Sequence, residues 1–431
     1  MMSVNLSELA RNRTAGGPAI GVTSVCSAHP LVLRAALRYG RDKSSTVLIE
    51  ATCNQVNHLG GYTGMTPSDF AALVFEIADD EQCPRELIVL GGDHLGPNPW
   101  RDLPAEAALA EAMKMVSAYV EAGFRKIHLD ASMGCKGEPA ALDDETTAHR
   151  AARLASAAEE AASRVGGGKP IYIIGTEVPP PGGADHALSA IEPTAASAAR
   201  KTIDVHRKVF ADAGLGDAFT RAIGLVVQPG VEFGNHNVIV YNRSRIDDLR
   251  AVLDAEPQFV FEAHSTDYQG GKPLRELVED GFPILKVGPE LTFVLREALY
   301  ALDLIASDLL PAYGQRPLYS AMEALLIAQP SNWSRHYHGT DAEKRWLRHY
   351  SLSDRIRYYW ATPEARDAVG FLFESLEGVT IPMPLMWQHM PAAMSFADAP
   401  LTPEELVMWR ITKSLADYDY GCTGSVHDVA D

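Results

Sequence analysis

The chain has no apolar run long enough to span a bilayer. Its first residues lack the apolar core of a secretory leader. Neither a membrane anchor nor export is expected, and the cytoplasm is the expected compartment. Cysteine is scarce: Cys26, Cys53, Cys83, Cys135 and Cys422 form no CxxC pair. An odd count argues against a disulfide framework, so the thiols are expected to be reduced. Positive charge is also short. Lys and Arg number 38 against 56 Asp and Glu, for a net charge of −18. Such a surface repels nucleic acid and anionic membranes, which are excluded as partners. A phosphorylated ligand would need a local pocket of donors. Nucleotide-binding elements are missing as well. The run Gly166-Gly167-Gly168-Lys169 precedes an apolar run instead of following one and lacks the GxxxxGK[ST] spacing. No GxGxxG opens a helix after the first apolar run. There is no flexible linker, fixed-period repeat or low-complexity tract.

What is present is a rhythm. Eight short apolar runs recur at residues 19–25, 46–51, 87–90, 126–130, 171–174, 223–228, 259–264 and 283–288. Each is rich in branched residues and bounded by Gly, Pro or polar residues, as suits strands buried on both faces. Helix-like stretches separate them. One opens at Pro67-Ser68-Asp69, another after Pro104, and a third, Ala- and Glu-rich, runs from Asp144 to Arg164 and stops at Gly166. Eight such units in series predict a closed (β/α)₈ TIM barrel over residues 1–310; an open doubly wound sheet usually has fewer. After about residue 310 the rhythm stops. Residues 311–431, with aromatic and basic clusters such as Arg355-Ile356-Arg357-Tyr358-Tyr359-Trp360, are expected to form a C-terminal helical extension packed on the barrel.

In a barrel the C-terminal strand ends converge on one mouth, where chemistry is built. Here those ends carry Asp93-His94, Asp130, Glu177, Gln228, Glu262, His264 and Lys286. Carboxylates, imidazoles and a lysine gathered there could bind a divalent metal and move protons. The Gly91-Gly92 step lets backbone approach a ligand before Asp93-His94. Plainer readings stand beside these. Asp130 can be the N-cap of the next helix. His128, two positions earlier and on the same side, reads as a satisfied core histidine. Cys26, Cys53 and Cys135 read as small buried side chains. The loop Gly60-Gly61-Tyr62-Thr63-Gly64 either covers a ligand or is simply a turn.

The runs Glu50-Ala51-Thr52-Cys53-Asn54-Gln55-Val56-Asn57, Gly60 to Met65, Gly91 to Pro97, Gln228 to Glu232 and Asp354 to Trp360 together form a signature. It resembles the family of the D-tagatose-1,6-bisphosphate aldolase accessory subunit, once labelled tagatose-6-phosphate kinase. That family is similar in turn to the class II, metal-dependent ketose-bisphosphate aldolases. The resemblance implies a metal, with zinc the expected ion, held by His94 and His264 together with a carboxylate, Glu177. It implies Asp93 as an acid/base, with Glu177 or Asp130 as the other. The aldolases' middle metal histidine has no match, because Gln228 stands where it is expected. The kinase label finds no sequence element for ATP.

Two functional readings follow from the resemblance. In the first, the chain is a sugar-phosphate 4-epimerase acting on a ketohexose 6-phosphate, D-tagatose 6-phosphate to D-fructose 6-phosphate, by retro-aldol and aldol chemistry. In the second, it is a non-catalytic subunit of a separate aldolase. Self-association is left open. The substrate phosphate is expected after the last two strands, near Ser265, Thr266, Lys286 and Gly288. Arg355 and Arg357 close the same end, and Gln228 and Asn57 complete the expected substrate contacts.

Overall fold

The structure is a computed structural model that describes residues 4–166, 168–175 and 191–425. Eight parallel strands close into a barrel. They are β1 (Val22–Cys26), β2 (Val47–Thr52), β3 (Ile88–Leu95), β4 (Lys126–Leu129), β5 (Ile171–Ile174), β6 (Ala222–Val226), β9 (Val260–Ala263) and β10 (Ile284–Val287). A small antiparallel hairpin, β7 (Glu232–Phe233) and β8 (Val238–Ile239), is inserted after β6. The barrel closes where Val22–Val25 pair with Ile284–Val287. All eight predicted runs became strands, shifted by a few residues. The largest change is in β3, which runs on through the Gly-Gly step to Leu95.

The helices form where the local signals placed them. Thr66 and Asp69 make a reciprocal capping box at the start of Pro67–Asp80. Asp143 caps Asp144–Val165, and Gly166 ends that helix in the left-handed conformation. One feature was not foreseen. Leu6, Leu9 and Ala10 pack with Val22, Ile223 and Ile284, residues at or near the strand starts, and plug the N-terminal end of the barrel. The last helix, Pro403–Thr423, packs against the barrel helices Pro30–Lys43, Gly271–Glu279 and Pro289–Leu309. Its end is tied in by the Gly21 amide, which donates to the Cys422 carbonyl at 2.8 Å. Among the described residues no helix is long and apolar enough to cross a membrane.

Candidate active site at the barrel mouth

The barrel interior is polar in two layers. In the deeper one, Glu50 of β2, Lys126 of β4 and Glu262 of β9 are all fully buried. Lys126 Nζ lies 2.6 Å from Glu50 Oε1 and 2.8 Å from Glu262 Oε2. Gly91 makes the room, since a Cβ there would meet Glu50 Oε1 at 2.4 Å. Burial alone would discharge Lys126, but the carboxylates outweigh it and hold the ammonium charged. Burial likewise pushes the Glu262 carboxyl up, yet Lys126 and His264 bring it down to about 2. For Glu50 burial wins over Lys126, and its carboxyl stays above the ordinary value.

The upper layer depends on an irregularity in β3. Adjacent residues of a regular strand point to opposite faces. Here the register against β4 shifts between Gly92 and Leu95, and His94 takes a positive φ of 49°. This bulge lets Asp93 and His94 both turn into the mouth. Strand β4 adds His128 and, just past its end, Asp130, on the same side as Lys126.

Each mouth imidazole is paired with a carboxylate. His128 Nδ1 lies 2.9 Å from Asp93 Oδ1, His94 Nδ1 lies 2.8 Å from Asp130 Oδ2, and His264 Nε2 lies 2.9 Å from Glu262 Oε1. The His94 amide also donates to His128 Nδ1 at 3.2 Å. The opposite ring nitrogens, His128 Nε2 and His264 Nδ1, are then buried with no hydrogen-bond partner. Imidazoles oriented this way by carboxylates are the usual arrangement around a metal. The three rings stand 4.9, 5.1 and 5.2 Å apart, centroid to centroid. One donor atom from each of Asp93, His128, Glu262 and His264 lies within 4.8 Å of the others.

Charge points the same way. Four buried carboxylates, Glu50, Asp93, Asp130 and Glu262, face two buried lysines, Lys126 and Lys286. With all four ionised and the imidazoles neutral, two negative charges remain, which a divalent cation would cancel. The cluster can therefore hold a metal ion. Burial drives His94 and His264 toward the neutral form that binds metal, His264 to about 3.

Lys286 Nζ sits on Asp93 Oδ2. Burial raises the Asp93 carboxyl, but His94, Lys286 and His128 outweigh it and keep it well below the carboxylate range. Above this floor opens a cleft of about 550 Å³, within the size range of small-molecule sites. His94, His264 and Lys286 form its base; Tyr62, Arg357 and Tyr358 form part of its wall.

The other expected residues are distributed unevenly. Ser265 lines the cleft, but Thr266 Oγ1 donates to the Lys286 carbonyl at 2.7 Å. The Gly288 amide donates to Asp267 Oδ1 at 3.0 Å, as does the Glu290 amide at 2.8 Å. Asp267 therefore takes the donors where a phosphate was expected. Asn57 Oδ1 accepts from the Leu59 and Gly61 amides, and Gln228 Oε1 from those of Gly230 and Val231, so both hold turns. The first of these turns, the glycine-rich loop, carries Tyr62 to the cleft. Arg357 faces the cleft, whereas Arg355 donates to the Asn332 carbonyl behind it. Asp130 receives Ser132 Oγ at 2.8 Å as well as His94, so it orients that ring. Glu177 lies outside the described residues. Cys26, Cys53 and Cys135 are buried, and burial pushes their thiols up.

Sequence reasoning missed His128 as a possible ligand, the Glu50–Lys126–Glu262 triad, and Tyr62, Tyr358 and Arg366 at the cleft. A signal for the first was available: Lys126, His128 and Asp130 alternate along one strand, so all three face inward.

The chain is similar to known proteins over nearly its whole length. Residues 6–423 match the family model described as D-tagatose-1,6-bisphosphate aldolase subunit GatZ/KbaZ-like. A protein of Agrobacterium fabrum named D-tagatose 6-phosphate 4-epimerase is 59% identical over 423 residues, 98% of this chain and 99% of that protein. A crystal structure from Sinorhizobium meliloti described as a probable tagatose 6 phosphate kinase is 52% identical, with a TM-score of 0.86 over 93% of this chain and all of that one.

Proposed function

The chain belongs to the D-tagatose-1,6-bisphosphate aldolase subunit GatZ/KbaZ-like family, and from that premise we propose that it interconverts D-tagatose 6-phosphate and D-fructose 6-phosphate by breaking and re-forming the C3–C4 bond. The observation that carries this reading is the mouth itself. A cluster able to hold a metal and a charged Asp93–Lys286 pair lie under a cleft sized for a sugar phosphate. The relative named as an epimerase supports the choice of substrate.

Carbon 4 is not adjacent to the ketone, so its hydrogen is not acidic, and no dinucleotide motif supports an oxidation route. Cleavage of C3–C4 avoids both problems, because the electron pair is delocalised toward the C2 carbonyl. Asp93 takes the C4 hydroxyl proton. Lys286, the member of the pair that lines the cleft, keeps Asp93 ionised until the hydroxyl reaches it. His128 and His264, with a carboxylate oxygen of Glu262, would hold a divalent ion, while His94, held by Asp130, lies beside them. Two imidazoles with carboxylates suit zinc. The chemistry such an ion supplies is polarisation of the ketone oxygen. Arg357 and Ser265, with Arg366 at the rim, receive the 6-phosphate.

The family description also names an aldolase subunit, which keeps a partner role open to the same test. The purified, metal-loaded chain is incubated alone with D-tagatose 6-phosphate in D₂O and followed by NMR. D-fructose 6-phosphate is expected, with the original hydrogen at C4. Deuterium at C4 refutes bond cleavage. No conversion, together with stimulation of a separate tagatose-bisphosphate aldolase, replaces the epimerase reading with the subunit one.

A further inference from the structure

Inverting C4 through an aldehyde requires two proton-transfer groups, because the C4 oxygen lies on different sides before and after inversion. Asp93 serves one side. Asp130 is committed to His94 and Ser132. Of the other described cleft groups, Asp267 is held by two amides and His29 Nδ1 accepts from the Leu31 amide at 3.2 Å. The part of the cleft lined by Tyr62, Arg357 and Tyr358 is different. Tyr358 is half-buried, and its ring stands edge-on to Tyr62 at 4.8 Å. Its phenol oxygen accepts from Arg357 Nη2 at 2.9 Å. The guanidinium carbons of Arg357 and Arg355 lie 4.4 and 5.2 Å from the ring centre. The neighbouring Asp354 carboxylate is already taken by Arg296 Nε at 2.9 Å and Thr292 Oγ1 at 2.7 Å. The two arginine charges therefore bear on Tyr358. Burial raises the phenol, but the two guanidinium groups outweigh it and leave it below its ordinary value.

We infer that Tyr358 is the second proton-transfer residue, acting on the C4 oxygen after the aldehyde has turned. This rests on the epimerase reading above, including the phosphate on Arg357, which leaves C4 two carbons away from the phosphorylated carbon and beside the next residue in the chain. The steps balance. Asp93 removes the C4 hydroxyl proton, the oxygen pair forms the C4=O bond of glyceraldehyde 3-phosphate, and the C3–C4 pair remains on the three-carbon fragment as an enediolate. Rotation about C4–C5 turns the carbonyl oxygen toward Tyr358. C3 attacks the other face, the C=O pair returns to oxygen, and Tyr358 donates its proton. Arg357 and Arg355 offset the phenolate, which regains a proton from solvent as Asp93 loses one.

The test is Tyr358→Phe, which keeps the ring and its packing against Tyr62. Epimerisation should fall by about 10²-fold or more in both directions, the scale of a general acid/base. Cleavage of the one epimer that Asp93 serves should persist. Triose phosphate release, coupled to a dehydrogenase, is measured from each epimer separately. Release from one epimer only, at a rate the wild type matches within a few-fold, is the expected result. Epimerisation close to wild type overturns the inference, and so does a variant that releases triose phosphate from neither epimer or from both. Placing a fluorinated tyrosine of lower phenol pKa at 358 provides a second reading. It should move one limb of the kcat–pH profile to lower pH, and an unmoved profile counts against the role. If the wild-type chain does not interconvert the epimers at all, the epimerase reading fails instead.

Discussion

Lys126→Met isolates the buried triad beneath the site. The substitution keeps most of the side chain's volume but removes the ammonium between Glu50 and Glu262, which it meets at 2.6 and 2.8 Å with no exposed surface on any of the three. Removing one partner of such a group strands charge in a medium that cannot solvate it, at a cost of about 3–5 kcal/mol. For a chain this long each kcal/mol moves the melting temperature by roughly 1 °C, so the expected drop is roughly 3–5 °C by calorimetry or circular dichroism at pH 8. The loss should shrink toward pH 5. Glu50 already sits above its ordinary value because of burial, and without Lys126 it can discharge by taking up a proton. Adding Glu50→Gln to Lys126→Met should recover most of the loss at pH 8. A single variant that melts within about 1 °C of wild type, or a deficit that grows on acidification, would show that the three groups are not coupled as described.

The metal cluster predicts that chelation abolishes turnover and that added zinc restores it. His128→Ala and His264→Ala should each weaken metal binding at least about 10-fold, since loss of a ligand exceeds the usual loss of a supporting contact; elemental analysis after dialysis against graded chelator measures this. Glu290 offers a stability prediction. Burial, then Asp267, raises its carboxyl to about 7. Folding therefore favours the protonated form, and that stabilisation is full below the unfolded value near 4.5 and lost as pH rises through about 7. Glu290→Gln should be neutral at pH 4 and gain up to about 3 kcal/mol at pH 8, read from denaturant titrations at the two pH values; a gain at pH 4 equal to that at pH 8 would reject the assignment.

The barrel was legible because parallel strands buried on both faces must be apolar runs, and eight of them leave few other closures. Asp93-His94 and His264 were legible because they end such runs. What escaped depended on contacts between distant segments. The phosphate donors expected near Gly288 are taken by Asp267, a pairing across two loops that no local pattern encodes. The bulge that turns both Asp93 and His94 inward is a register shift against β4, and the Gly91-Gly92 step hints at it without specifying it. Tyr358 comes from the extension, where neither period nor strand ends indicate direction. Tyr62 reaches the cleft only because Asn57 and Gln55 hold their loop, Thr63 Oγ1 donating to the Gln55 carbonyl at 2.7 Å.

His128 differs from these, because its inward face follows from strand periodicity alone. A histidine inside a strand is usually a satisfied core residue, but satisfaction requires a partner, and in a barrel interior that partner must come from another strand. Lys126, His128 and Asp130 alternate along β4 and so share one face. Each needs a polar group opposite: Lys126 finds Glu50 and Glu262, His128 finds Asp93, and Asp130 finds His94. Once the strands are closed into a barrel, every inward polar residue is a demand on its neighbours, and the demands can be counted. With all four ionised, four carboxylates against two lysines do not balance, and the surplus is the charge a divalent cation carries. A cluster able to hold a metal is thus what strand periodicity and electroneutrality together produce. Neither alone, read along one segment, distinguishes His128 from an ordinary core residue.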